Sequence, residues 1–200
     1  MGSSALLNQP EYVHVTINHF PLIGLFVAML ALAVALLNRN RTAVLIGLAL
    51  LALLALSVWP VSVYGEAGYD RVLSMSDDNG QAYLRYHQHL ADRWAFLYYI
   101  TAAIAALGFG LSWKWPRVLT PVSIAALLLA AGSLCAGVVI AEAGGRIRHR
   151  EFRRGPPPEI KENSVAFPAT FPFNAGSGDF RPGLLICDSQ PDIVPSHSGH

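Results

Sequence analysis

Histidine and glutamate side chains recur along this sequence at the ends of long apolar segments. His14 and His19 precede the first such segment, Glu66 follows the second, and His89 precedes the third. A neutral imidazole keeps a nitrogen lone pair at physiological pH, and together with carboxylates it binds iron, copper, zinc or manganese. Ionisable residues at membrane depth are costly and by default mark a functional site. The pattern therefore indicates a metal or haem site at one end of the apolar segments.

Four uncharged segments must position these side chains. The chain has 200 residues, of which 53% are hydrophobic and 14% charged, and its mean hydropathy is +0.40. Each segment has roughly the 20 residues that cross the hydrocarbon core of a bilayer. The segments are Phe20–Leu37, Ala43–Tyr64, Ala95–Trp113 and Val118–Ala141. This composition excludes a soluble globular enzyme, a disulfide scaffold and a disordered protein, and it predicts a polytopic membrane protein.

The connections between the segments determine how they pair. NRNRT joins the first two segments and KWPR joins the last two, and links this short make antiparallel neighbours. Helices are the only option, because backbone groups in lipid must bond within their own segment. We therefore predict an all-α, up-down-up-down four-helix transmembrane bundle with both termini on one side. The predicted helices are residues 14–38, 42–65, 82–114 and 117–148, and a polar loop at 66–81 lies on the side of the termini.

The sequence divides into three regions. Residues 1–13 form an N-terminal segment, residues 14–152 the four-span bundle, and residues 153–200 an irregular tail rich in Pro and Gly. The tail has no helical or strand period. Its scattered apolar residues indicate an arm that lies on another surface, and a free tail is the alternative. Cys135 and Cys187 form no disulfide framework, and neither belongs to a Cys-x-x-Cys-His motif for covalent haem attachment.

In this topology the polar ends of all four segments meet at one membrane face, where we expect His14, His19, Glu66 and His89 to converge. His87 and His89 are two residues apart and point to nearly opposite sides of a helix. His89 groups with Arg93 and Phe96 at helical spacing, and we prefer it because it begins the segment HLADRW. Glu142 and His149 are expected to be outer members of the site. The predicted metal ligands are His14, His19, Glu66, His89, Glu142 and His149.

Two kinds of cofactor fit this donor set. A b-type haem takes two axial imidazoles, with His14 or His19 opposite His89 and the propionates beside arginines at the interface. A non-haem iron, copper, zinc or manganese ion fits equally well, with Glu66 and Glu142 as ligands or as partners of the ligands. The predicted cofactor-binding residues are His14, His19, His89, Arg93 and Arg148.

Four motifs in this order and spacing resemble a bacterial family of four-span membrane proteins, a domain of unknown function. The segments HVTINHFPLIG, YGEAGYDRV, YHQHLADRW and GGRIRHREFR carry the resemblance, which covers about residues 12–152. The family pattern is His-x4-His-x-Pro, Gly-Glu, His-x-x-Ala and Gly-Gly-x-Ile-Arg-His-x-Glu. It falls on His14, His19, Pro21, Gly65, Glu66, His89, Ala91, Gly144, Gly145, Ile147, Arg148, His149 and Glu151. The resemblance implies the fold and the positions of a site, and it implies no activity.

The favoured function is a redox or electron-transfer subunit of a membrane. The alternative is a non-catalytic accessory or structural subunit of a larger membrane complex. The expected partners are membrane lipids and other membrane subunits that contact the C-terminal tail. No basic stripe with interleaved aromatic residues is present, so no nucleic-acid partner is expected. Because the sequence shows neither a nucleophile–base pair nor a phosphate-binding loop, it assigns no reaction.

The expected location is the bacterial inner membrane, with several spans and periplasmic termini. The short loops carry Arg39, Arg41, Lys114 and Arg117, and cations in short loops favour the cytoplasmic side. Eight arginines at the opposite end favour the reverse orientation. They are Arg71, Arg85, Arg93, Arg146, Arg148, Arg150, Arg153 and Arg154.

Overall fold

Helices make up nearly all of the structure, a computed structural model that describes residues 8–157 and residue 160. No strand occurs among these residues. Four of the helices, counted with their short irregular extensions, are long and apolar enough to cross a membrane. The predicted fold class, an all-α four-helix transmembrane bundle, is confirmed. The predicted irregular tail falls almost entirely outside the described residues.

The four spans contain six α-helices. Span 1 (Pro10–Leu37), span 2 (Arg41–Ser74), span 3 (Asp78–Lys114) and span 4 (Pro116–Arg148) follow one another along the chain. The helices are α1 (Pro10–Ile17), α2 (Leu25–Leu37), α3 (Arg41–Leu56), α4 (Val58–Ser74), α5 (Asp78–Lys114) and α6 (Leu119–Arg148). A π-helical turn, Phe20–Gly24, joins α1 to α2 and contains Pro21. Short 3-10 turns at Pro116–Val118 and Arg150–Phe152 flank α6.

Capping residues place the two turns that follow spans 1 and 2. Asn40 precedes α3, and its side-chain oxygen accepts a hydrogen bond from the Ala43 N–H at 3.1 Å. Asp77 does the same for α5, where it accepts from the Gly80 N–H at 3.1 Å. Such caps satisfy N–H groups that have no partner inside the helix. The turn after span 1 also needs Arg39 in the left-handed region, with φ of 52°.

The membrane core is a stripe of aliphatic and small side chains on all four spans. Leu25, Leu32, Leu48 and Leu51 are fully shielded from the surroundings. The hydroxyls of Thr101 and Ser133 lie 2.9 Å apart and hydrogen-bond span 3 to span 4 inside this core. Small residues allow helices to approach closely, and interhelical hydrogen bonds add to the packing that drives association in lipid. These contacts hold the bundle whose polar end carries the histidines.

The predicted boundaries at the polar end are wrong in three places. Span 1 begins at Pro10 rather than at residue 14, span 2 continues to Ser74 rather than ending at 65, and span 3 begins at Asp78 rather than at 82. The predicted loop at 66–81 therefore shrinks to residues 75–77, because most of it is helical. A second apolar cluster accounts for the extra turns of span 2, since they bury one face against spans 3 and 4. Its residues are Tyr69, Val72, Leu73, Tyr83, Leu84 and Ile147.

The topology predicts that residues 40 and 79 lie on opposite sides of the membrane. We expect Asn40→Cys and Asn79→Cys, each in a chain with Cys135 and Cys187 replaced by Ala, to react with a membrane-impermeant thiol reagent from opposite sides. Both positions are exposed in the folded chain, so labelling reports sidedness rather than burial. Labelling of both cysteines from the same side of intact vesicles would contradict the four-span arrangement.

Candidate functional site

The His14 side chain packs against the backbone of span 2. Its Nδ1 lies 2.8 Å from the carbonyl oxygen of Val61, and the ring rests over Gly65. A Cβ atom at Gly65 would lie only 2.9 Å from His14 Nδ1, so any larger residue there would displace the ring. Glycine at 65 therefore makes room for the imidazole of His14, and the carbonyl four residues earlier orients it.

The His87 side chain repeats this arrangement between spans 3 and 4. Its Nδ1 lies 2.8 Å from the carbonyl oxygen of Ile140. A Cβ atom at Gly144 would lie 3.2 Å from both Nδ1 and Cε1 of the His87 ring. Each imidazole thus sits on a glycine of the following span and bonds the carbonyl four residues before that glycine.

The two imidazole rings are neighbours in an edge-to-face arrangement. Their ring centroids are 6.4 Å apart, and the ring planes are almost perpendicular, at 88°. A carbonyl oxygen only accepts, so Nδ1 of each ring must carry the proton that it donates. Nε2 of each ring forms no hydrogen bond within the described part of the chain. In its neutral form, each ring would offer the Nε2 lone pair, as metal-binding histidines do when a carbonyl holds their other nitrogen.

Glu11 lies one helical turn before His14 and uses the same surface of span 2. Its Oε1 is 2.8 Å from Nε of Arg71. Its Oε2 is buried and has no hydrogen-bond partner among the described residues. A Cβ atom at Gly68 would lie 2.8 Å from the backbone nitrogen of Glu11, so the two helices touch here.

Glu11 and His87 belong to this candidate cluster and are not among the residues predicted from the sequence. A signal for Glu11 was present, because Glu11 and His14 are three residues apart, as are Gly65 and Gly68 on the facing helix. Large polar residues on one helix matched by glycines at the same interval on an antiparallel neighbour indicate close contact. The sequence favours His89, two residues further along α5; both histidines are partly buried, but it is His87 that contacts His14.

The other predicted ligands stay apart from the His14–His87 pair. His19, Glu66 and Arg93 are exposed, as is Arg148. Near the end of span 4, Glu142 forms an ion pair with Arg146. No three His, Cys, Asp or Glu side chains within residues 8–157 and 160 are grouped closely enough to hold a metal ion. The structure thus brings His14 to His87 and does not assemble the larger predicted set.

His149, also predicted as a ligand, instead pairs with a neighbour just beyond span 4. Its Nδ1 lies 2.9 Å from Oε1 of Glu151. Hydrogen bonds from the backbone N–H of Glu151 and from His149 hold the pKa of the Glu151 carboxyl below its ordinary value. The exposed side chains of His149 and Glu151 therefore pair with each other in the segment that follows span 4.

The ion pair between Asp77 and Arg153, the ionic latch, lies at the same end of the bundle. Arg153 donates to both carboxylate oxygens of Asp77 at 2.8 and 2.9 Å, and it also donates to the carbonyls of Arg146 and Ile147 at 2.7 Å each. Planar two-bond pairs of this kind are among the stronger ionic contacts. Hydrogen bonding from Arg153 lowers the pKa of Asp77 from 3.8 to about 2. The latch ties the turn between spans 2 and 3 to the segment after span 4.

The latch should make stability depend on pH in the acid range. Because the pKa of Asp77 is lower in the folded chain, its contribution is present above pH 3.8 and is lost as the pH falls toward about 2. We expect wild type to melt at a higher temperature than Asp77→Asn in detergent micelles near neutral pH. That difference should shrink below pH 3.8 and close near pH 2. A difference that persists unchanged at pH 2 would show that the carboxylate charge does not form the latch.

No family model, curated protein or solved structure matches the chain. The resemblance to a four-span family therefore stays a prediction. The interpretation of the site depends on the geometry of His14, His87 and their glycine and carbonyl contacts.

Proposed function

We propose that this multi-pass membrane protein holds a b-type haem through His14 and His87 and acts as an electron-transfer subunit. The observation that carries the proposal is the matched pair of imidazoles. Each ring is fixed by a backbone carbonyl at Nδ1, and each keeps Nε2 for a metal.

The spacing of the two rings suits one ion held between them. Both rings would have to lie within reach of one ion, whose bonds to imidazole nitrogen are about 2.0–2.1 Å long. The observed centroid separation is 6.4 Å. The rings come from spans 1 and 3, so an ion at this position would also link the two halves of the bundle.

The number of available ligands favours haem over a bare metal ion. Structural zinc sites use four protein ligands and catalytic ones commonly three, and the described residues bring no third His, Cys, Asp or Glu to the pair. Haem iron needs only axial ligands from the protein, because the porphyrin supplies the other nitrogens. Two histidines from different helices are therefore enough for haem and too few for a typical zinc site.

Optical absorption of the purified protein tests the proposal directly. We expect a Soret band that shifts on reduction, with one iron atom per chain by metal analysis after expression with added haem precursor. Iron, copper or zinc bound without a Soret band would overturn the assignment of haem. A chain that carries neither haem nor metal after this treatment would overturn the redox proposal altogether.

A second candidate function is the non-catalytic accessory subunit. It is favoured by the exposure of His19, Glu66 and Arg93 at the polar end, where they can contact another subunit. In that case a stoichiometric partner should co-purify with the chain, be retained in His87→Ala, and be lost in Glu66→Arg. Loss of the partner in His87→Ala alone would argue against docking through the exposed residues.

A further inference from the structure

A groove opens at the membrane face opposite to the two histidines. It has a volume of about 750 Å³ and lies between the end of span 1 and the starts of spans 2 and 4. Leu36, Leu119 and Ile124 are among its aliphatic walls. Ligand pockets commonly have volumes of about 300–1,000 Å³, so the groove is large enough to hold part of an amphiphile.

Two arginines lie at the polar rim of this groove. Arg41 is held in place, because its Nη2 donates to the carbonyl oxygen of Ser112 at 3.1 Å. That bond uses one of the five donors of a guanidinium and leaves the others free. Arg39 also lines the groove, and its guanidinium forms no ion pair or hydrogen bond within the described residues. The rim therefore offers two cationic groups above an aliphatic wall.

Charge at this face is entirely positive. Residues 12–65 and 93–141 contain no Asp or Glu, so no carboxylate of the spans neutralises this end. Lys114 and Arg117 add to Arg39 and Arg41 in the two short turns. Basic pockets between transmembrane helices bind acidic lipid headgroups, and guanidinium matches phosphate in geometry as well as charge.

We propose that this groove binds one acidic phospholipid of the surrounding membrane. The phosphate lies between Arg39 and Arg41, and an acyl chain lies along the wall that includes Leu36, Leu119 and Ile124. Cations alone attract any anion, but the aliphatic wall selects one that carries a hydrocarbon chain. The site is separate from His14 and His87, so it stands whether or not the chain binds haem.

Lipid retention by the delipidated full chain tests this site. We expect native mass spectrometry to show one phosphatidylglycerol bound per chain in preference to phosphatidylcholine. The double variant Arg39→Gln, Arg41→Gln should weaken phosphatidylglycerol binding by about thirtyfold, since each basic residue near the surface contributes a factor of about five. The matched control is Arg148→Gln, Arg154→Gln, which removes the same charge from exposed arginines at the other end of the bundle. This control should leave phosphatidylglycerol binding at the groove unchanged.

A variant that keeps both arginines separates the groove from general charge attraction. Thr120 lines the groove and is exposed, so Thr120→Trp should fill the path of the acyl chain and reduce phosphatidylglycerol binding while circular dichroism stays that of the wild type. Equal binding of the two lipids, or equal loss in both arginine double variants, would overturn the proposal. Inorganic phosphate that competes as well as the lipid would overturn the acyl-chain contact.

Discussion

Substitution of His87 by Ala is expected to abolish haem binding completely. His87 is one of the two imidazoles that would hold the haem iron, and the ring centroid of the other, His14, is 6.4 Å away. Loss of either imidazole would remove half of the ligands that the protein would supply. The Soret absorbance and the bound iron should both fall to background, and His14→Ala should have the same effect.

His89→Ala is the matched control, because it removes the same side chain two residues away. His89 has no contact with His14 comparable to that of His87, so this variant should keep the full Soret absorbance. Insertion should be normal in both variants, since it depends on the apolar spans. Loss of haem in His89→Ala with retention in His87→Ala would contradict the assigned pair and would return the site to the residue that the sequence favoured.

The second large effect is expected from Gly68→Val. Gly68 is buried, and a Cβ atom there would lie 2.8 Å from the nitrogen and 2.9 Å from the Cα of Glu11. Because these are backbone atoms, the start of span 1 must move away from span 2. Overpacking of this kind costs typically about 1–3 kcal/mol. The fraction of denaturing detergent at the unfolding midpoint should fall, and His14 should lose its bond to Val61.

Gly132→Val provides the comparison, because it makes the same change in span 4 where a Cβ atom would meet nothing within 4 Å. This variant should unfold at the wild-type midpoint. If Gly68→Val is destabilised and still keeps the full Soret absorbance, haem binding does not depend on the packing of His14 against span 2. Equal midpoints for the two variants would show that the close approach at Gly68 does not limit stability.

The spans could be predicted from sequence because hydropathy is a local property. Twenty apolar residues cross a bilayer whatever their neighbours do, so Phe20–Leu37 and Val118–Ala141 identified two of them directly. The end of span 2 was not predicted, because residues 66–74 mix polar with apolar side chains and become helical by packing against Tyr83 and Ile147. That packing is a property of the folded chain.

The sequence predicted the end of the bundle at which the histidines gather, but not which side chain of span 3 contacts His14. Antiparallel topology places His14, His87 and His89 at one end of the bundle. Which of the two span 3 histidines faces inward depends on the rotation of α5, and that rotation is set by contacts such as the fit of His87 on Gly144. Helical spacing with Arg93 favours His89, whereas the structure places His87 beside His14 and leaves Arg93 exposed.

The π-helical turn at Phe20–Gly24 sets the two ends of span 1 in different phases. In an unbroken α-helix, His14 and Leu25 would differ by eleven residues and so by only about 20° in direction. One additional residue in the turn changes this angle by roughly 100°. The apolar stripe that starts at Leu25 can then follow the bundle core while His14 keeps its alignment with Gly65. The turn therefore continues the axis of the helix while it rotates the side chains after it by a fixed angle relative to those before it.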